Sequence, residues 1–119
     1  MCEEIIIDGK KFVRADKAAP AVKLDGMDFV IVRTYSAGVH FGYLKSRDGK
    51  EVTLVKSRRV WYWSGAASLS EMAVRGVKNP TECKFPAELE EIILTEAIEI
   101  IPCTEKARQS LQGVPEWKA

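Results

Sequence analysis

The sequence predicts an α+β fold: an antiparallel, mostly β sheet with two short helices in a single domain. Three observations carry that prediction. β-Branched and aromatic residues are concentrated in short runs from Asp28 to Trp63, separated by turn residues, as strands require. Ser68 and Thr104 each stand as helix caps before a short run closed by a glycine, Gly76 and Gly113. The 119 residues suit one ordinary domain, long enough to bury roughly two-thirds of its unfolded surface.

Taken in order, Glu4 to Arg14 reads as a hairpin, with Ile5-Ile6-Ile7 and Lys11-Phe12-Val13 flanking the turn Asp8-Gly9. Asp-Gly tolerates the positive φ values of a tight hairpin turn. Asp16 to Gly26 has mixed polarity and no period, which makes it a linker or extended arm. Residues 1–27 therefore read as an N-terminal hairpin and linker extension, and 28–119 as the main α+β domain. Phe29 to Tyr35 is the first strand of the main sheet, broken by Ser36-Ala37-Gly38. Val39 to Ser46 follows, with Val39, Phe41 and Tyr43 on one face and His40, Gly42 and Leu44 on the other. Asp48-Gly49 turns the chain into Glu51–Lys56. A further strand, Arg58 to Trp63, places Arg59, Trp61 and Trp63 together and turns Arg58, Val60 and Tyr62 away.

Ser68 and Glu71 match a capping box, and Leu69, Met72 and Ala73 form the inner stripe of the helix that follows. Val77 to Ala87 is a loop punctuated by Pro80 and Pro86. The Glu content of Glu88 to Ile101 suits a helix, but the two-apart spacing of Ile92 with Leu94 and of Ile98 with Ile100 predicts a strand. Thr104 caps a last helix, Glu105 to Gln112.

Composition narrows the function. Eighteen basic residues against seventeen acidic ones give a net charge of +1, too small a field to argue for nucleic acid or a membrane surface. No apolar run approaches the roughly 20 residues of a membrane helix. The acidic start, Met1-Cys2-Glu3-Glu4, does not read as a signal peptide. Cys2, Cys83 and Cys103 share no close spacing, so reduced thiols in the cytoplasm are expected, with no metal site and no disulfide framework. His40 is the only histidine and would suit a general base, yet no nucleophile elbow, phosphate loop or ligand cluster accompanies it. Glu88, Glu90, Glu91, Glu96 and Glu99 read as a solvated face. The expectation is a binding protein without a cofactor, not an enzyme.

The informative stretch is Lys56-Ser57-Arg58-Arg59-Val60-Trp61-Tyr62-Trp63-Ser64-Gly65. Arginine pairs with phosphate through a planar fork, and an indole face stacks on a base. Arg59 and Trp61 share a strand face, as a nucleotide would need; alternatively the tryptophans are core, with Arg58 and Arg59 lying over them as rim cations. Phe85, in the proline-flanked loop, is a loop anchor or a stacking platform. Arg108 complements the end of the last helix or reaches a ligand.

Arg33-Thr34-Tyr35-Ser36-Ala37-Gly38-Val39-His40, Arg58 to Ala66 and Leu94 to Ile100 resemble a family of small proteins encoded by bacteriophages and prophages. The resemblance covers about Asp28 to Lys118 and leaves the first twenty-seven residues as a variable extension. That family is similar to the first type of Thoeris anti-defence protein. The resemblance implies a sponge: a symmetric homo-oligomer that sequesters cyclic ADP-ribose isomers, and in some members cyclic oligonucleotides, without cleaving them, in the cytoplasm of the bacterial host. It further implies Arg59 and Arg108 on phosphates and Phe85 or Trp61 on adenine. Arg58 and His40 complete the candidate ligand-binding set. The rival expectation is a phage accessory protein that binds a protein partner, or single-stranded nucleic acid, through the Arg- and Trp-rich strand.

Overall fold

The computed structural model of the chain describes residues 5–6, 10–11 and 19–118. Of the expected N-terminal hairpin it describes β1 (Ile5–Ile6) and β2 (Lys10–Lys11), which pair in parallel, not antiparallel, and form a two-stranded sheet of their own. The Asp8-Gly9 turn and Cys2 lie outside the described residues. The main sheet has five antiparallel strands: β3 (Phe29–Thr34), β4 (Val39–Asp48), β5 (Glu51–Val60), β6 (Leu89–Leu94) and β7 (Ala97–Pro102). Their spatial order is β6-β5-β4-β3-β7. Helices α1 (Leu69–Arg75) and α2 (Glu105–Gln112) pack together against one face.

That order forces the sheet to curl. Strands β6 and β7 are the two edges, yet only Thr95 and Glu96 separate them in sequence. Three residue steps span at most about 11 Å, whereas the edges of a flat five-stranded sheet stand about 19 Å apart. The tip of the β4–β5 hairpin completes the closure, because the Ala97 amide donates to the Lys50 carbonyl at 3.0 Å. Val30, Val32, Val52, Leu54, Leu94 and Ala97 fill the inside of this curl, with no helix covering them among the described residues. On the outer face Phe29, Ile31, Phe41 and Tyr43 meet Met72 and Ala73 of α1 and Ala107 and Leu111 of α2. The curl thus creates two cores from one sheet.

The run from Glu88 to Ile101 is strand, as its spacing predicts, but it divides into two strands that occupy opposite edges. Expected as two strands, Glu51–Lys56 and the first three residues of Arg58–Trp63 form the single strand β5, which stops at Val60 and leaves Trp61, Tyr62 and Trp63 outside it. Between the pairs Phe41↔Arg58 and Tyr43↔Val55, β5 carries one residue more than β4, and Lys56 takes the positive φ of 52° there. This β-bulge reverses the alternation. Val52 and Leu54 face the inside of the curl, whereas Arg58 and Val60 face the helical side and Arg59 lies opposite His40.

Both helix caps form as the sequence predicts. Ser68 Oγ accepts from the Glu71 amide at 3.2 Å, and Thr104 Oγ1 from the Ala107 amide at 3.1 Å. Thr104 also donates to the Val74 carbonyl at 2.6 Å, which ties the second cap to the first helix. The expected linker is bound to α2: the Val22 amide donates to Glu105 Oε1 at 2.7 Å and the Glu105 amide to the Ala19 carbonyl. Asp25 and Gly26, at φ 51° and 81°, make a further tight turn between Leu24 and Met27.

Candidate functional site

The site begins with the loop joining β3 to β4. Gly38 supplies a φ of 85°, and Thr34 Oγ1 both donates to the Gly38 carbonyl and accepts from the Ala37 amide. From outside, Tyr35 and Ser36 are held by Glu96 of the β6–β7 connection, through its carbonyl and its carboxylate. The loop is therefore fixed at both ends, and the Ala37 carbonyl turns back over the sheet. Arg59 Nη1 donates to it at 2.8 Å and His40 Nε2 at 2.9 Å. A carbonyl only accepts, so Nε2 carries the proton. His40 is buried, which holds its pKa below the ordinary value; its bond to Ala37 opposes that and the neighbouring Arg59 charge adds to it. A neutral imidazole beneath the loop results at pH 7.

Beyond this support the loop, Arg59, Trp61 and Trp63 line an open cleft of about 380 Å³. Arg59 is exposed, and its guanidinium makes one bond, to Ala37, among the described residues. Its remaining N–H groups are available to an anion. Trp61 is 63% exposed, so an indole face is offered to solvent beside the guanidinium. Trp63 is half-buried and oriented by its Nε1 bond to the Ala66 carbonyl at 3.1 Å. A fixed cation next to an aromatic face can hold a planar anionic ligand.

Residues 27–111, more than half of the chain, match the domain of unknown function DUF6948. The chain belongs to that family. No curated protein and no solved structure matches it. The cleft residues all lie within the DUF6948 region, and the closing residues Val114 to Lys118 lie beyond it.

Of the six candidate residues, this DUF6948 fold brings two together in the cleft, Arg59 and Trp61. The other four are placed elsewhere. Arg58 is buried on the opposite face, where it donates to the carbonyls of Phe85, Pro86, Val114 and Pro115 at 2.7–3.3 Å. Engaged by main chain through four bonds, it does not line the cleft. Phe85 has 0% exposure and packs edge-on against Phe41 with ring centroids 5.6 Å apart. It anchors the loop and offers no face to a base. Arg108 is bound to Glu105 and Gln112 along α2. His40 supports the loop from below and does not line the cleft. Cys83 and Cys103 are buried, and burial pushes the Cys103 thiol up to about 12, away from reactivity. Among the described residues no group of three His, Cys, Asp or Glu side chains could hold a metal ion.

Sequence reasoning did not find the loop Ser36–Gly38 as a wall of the cleft. Its small residues read only as a break between strands, and what makes it a wall is the inward carbonyl of Ala37, a backbone property.

Proposed function

We propose that this protein binds and sequesters a cyclic nucleotide without cleaving it. In this reading Arg59 holds a phosphate by charge-assisted hydrogen bonds and Trp61 stacks on the base. The observation that carries it is the shared cleft: an exposed guanidinium and an exposed indole side by side over a rigid loop. The resemblance of the Arg33–His40 and Arg58–Ala66 segments to the first type of Thoeris anti-defence protein supplies the ligand class, cyclic ADP-ribose isomers or cyclic oligonucleotides. It also supplies the setting, a phage-encoded sponge in the host cytoplasm.

The cleft is open, so one copy covers one side of such a ligand. A second copy across a two-fold axis would cover the other, which is the reason to propose a symmetric homo-oligomer. Sequestration without turnover is tested by incubating the protein with cyclic ADP-ribose, denaturing it with heat, and analysing the released small molecules by mass spectrometry. Intact ligand released in proportion to protein is the expected result. A hydrolysed product that scales with protein concentration contradicts the proposal.

A further inference from the structure

At the exit of β5, on the other side from the cleft, three short stretches that are far apart in sequence lie together. Tyr62 and Lys84 exchange backbone hydrogen bonds, at 2.8 and 3.3 Å, and the Trp117 amide donates to the Phe85 carbonyl at 2.9 Å. Buried Arg58 holds the last two stretches in place through the carbonyls of Phe85, Pro86, Val114 and Pro115. This arrangement puts the Lys84 ammonium 5.8 Å from the Tyr62 ring centroid and 5.6 Å from that of Trp117. Tyr62 is 52% exposed and Trp117 41% exposed. A cation is thus held between two aromatic rings on a braced backbone, open to solvent.

The chemistry of this patch selects its partner. Lys84 makes no ion pair among the described residues. The patch therefore presents one positive charge flanked by exposed aromatic faces. One cation on a chain of net charge +1 gives little hold on a polyphosphate strand. Tyrosine, tryptophan and a desolvatable cation are instead the composition of a protein-binding hot spot.

We propose that the Tyr62–Lys84–Trp117 patch is a docking surface for a partner protein that presents a carboxylate beside an apolar side chain. The carboxylate sits on the Lys84 ammonium and the apolar group lies against the exposed rings.

The test is a selection of phage-displayed random 12-residue peptides on the full chain. Selected peptides are then titrated against wild type, Lys84→Gln, Trp117→Phe and Arg59→Ala, with thermal melts to confirm folding. Expected is a consensus with Asp or Glu next to an aliphatic or aromatic residue. Its affinity should fall at least tenfold in Lys84→Gln, fall less in Trp117→Phe, and stay unchanged in Arg59→Ala. Absence of an acidic consensus, or full affinity retained by folded Lys84→Gln, overturns the proposal. So does an oligothymidine probe, or self-association of the chain, that depends on Lys84 where the peptides do not.

Discussion

Arg58 and Arg59 are adjacent in sequence and opposite in role. Strand alternation sends one to each face, and the bulge at Lys56 decides which face each receives. Arg58 donates to four carbonyls in two stretches far apart in sequence, Phe85-Pro86 and Val114-Pro115. Replacing it by alanine takes the donor from the buried Val114 carbonyl and leaves the closing residues held to the Phe85 stretch mainly by the Trp117 amide. Arg58→Ala should lower unfolding free energy by about 3 kcal/mol in urea titrations, and Arg58→Lys should recover little, because an ammonium lacks the planar fork. Arg59→Ala should change stability by less than about 0.5 kcal/mol. The sequence put both arginines in the candidate set, with Arg59 on the face of Trp61 and Arg58 on the other. Alternation alone separates their faces, but only the tertiary approach of Phe85 and Val114 shows which one is consumed by structure.

At the scale of elements, capping signals were the most legible feature, because a cap is a local bond between residues three apart. Both helices form over the expected residues. The least legible was the division between β6 and β7. Both halves of Glu88–Ile101 carry the same two-apart apolar spacing, and Thr95-Glu96 is neither a glycine nor a proline break. What divides them is closure of the curl, a long-range event. The expected solvated face is present in part as ion pairs: Glu90 with Lys56, Glu91 with Lys45 and Glu99 with Arg33. The attachment of the 19–27 segment was hidden for the same reason, since it rests on the Glu105 carboxylate 83 positions from Val22. Hydrogen bonds from Arg108, the Val22 amide and Gln109 hold that carboxyl at about 2, well below its ordinary range. A depressed carboxyl stabilises the fold above its unfolded value of about 4.3 and loses that contribution as pH falls toward 2. Wild type should therefore lose more stability than Glu105→Gln between about pH 4.5 and 2, as read by urea unfolding across that range.

For the whole molecule, the curl determines what the surface can do. It consumes the inner face of the sheet as core and the helices consume most of the outer face, which leaves exposed aromatic side chains at the exit of β5. Trp61 emerges there toward the cleft and Tyr62 toward Lys84 and Trp117. The fold class could be read from the sequence because it follows from periodicity, whereas Trp61 lies past the end of β5 and reaches the cleft from a bend, not by strand alternation with Arg59. The exclusion of Phe85, Arg108 and His40 from the cleft could not be read from the sequence, because each is decided by a neighbour distant in sequence. If a second copy closes the open cleft, sedimentation at micromolar concentration with cyclic ADP-ribose present should show a single symmetric oligomer. A monomer that nevertheless binds ligand tightly would show that one copy suffices.

The most direct test of the cleft as a nucleotide site is calorimetric titration of cyclic ADP-ribose and a cyclic dinucleotide into wild type, Arg59→Ala and Trp61→Ala, each with a thermal melt. The account predicts that at least one of these ligands binds wild type. Losing Arg59 should weaken that binding by about 1.5–3 kcal/mol, roughly ten- to a hundredfold. Loss of Trp61 should cost about 1–3 kcal/mol, and neither variant should melt appreciably lower than wild type. Failure of both ligands to bind wild type, or equal affinity in Arg59→Ala, would contradict it.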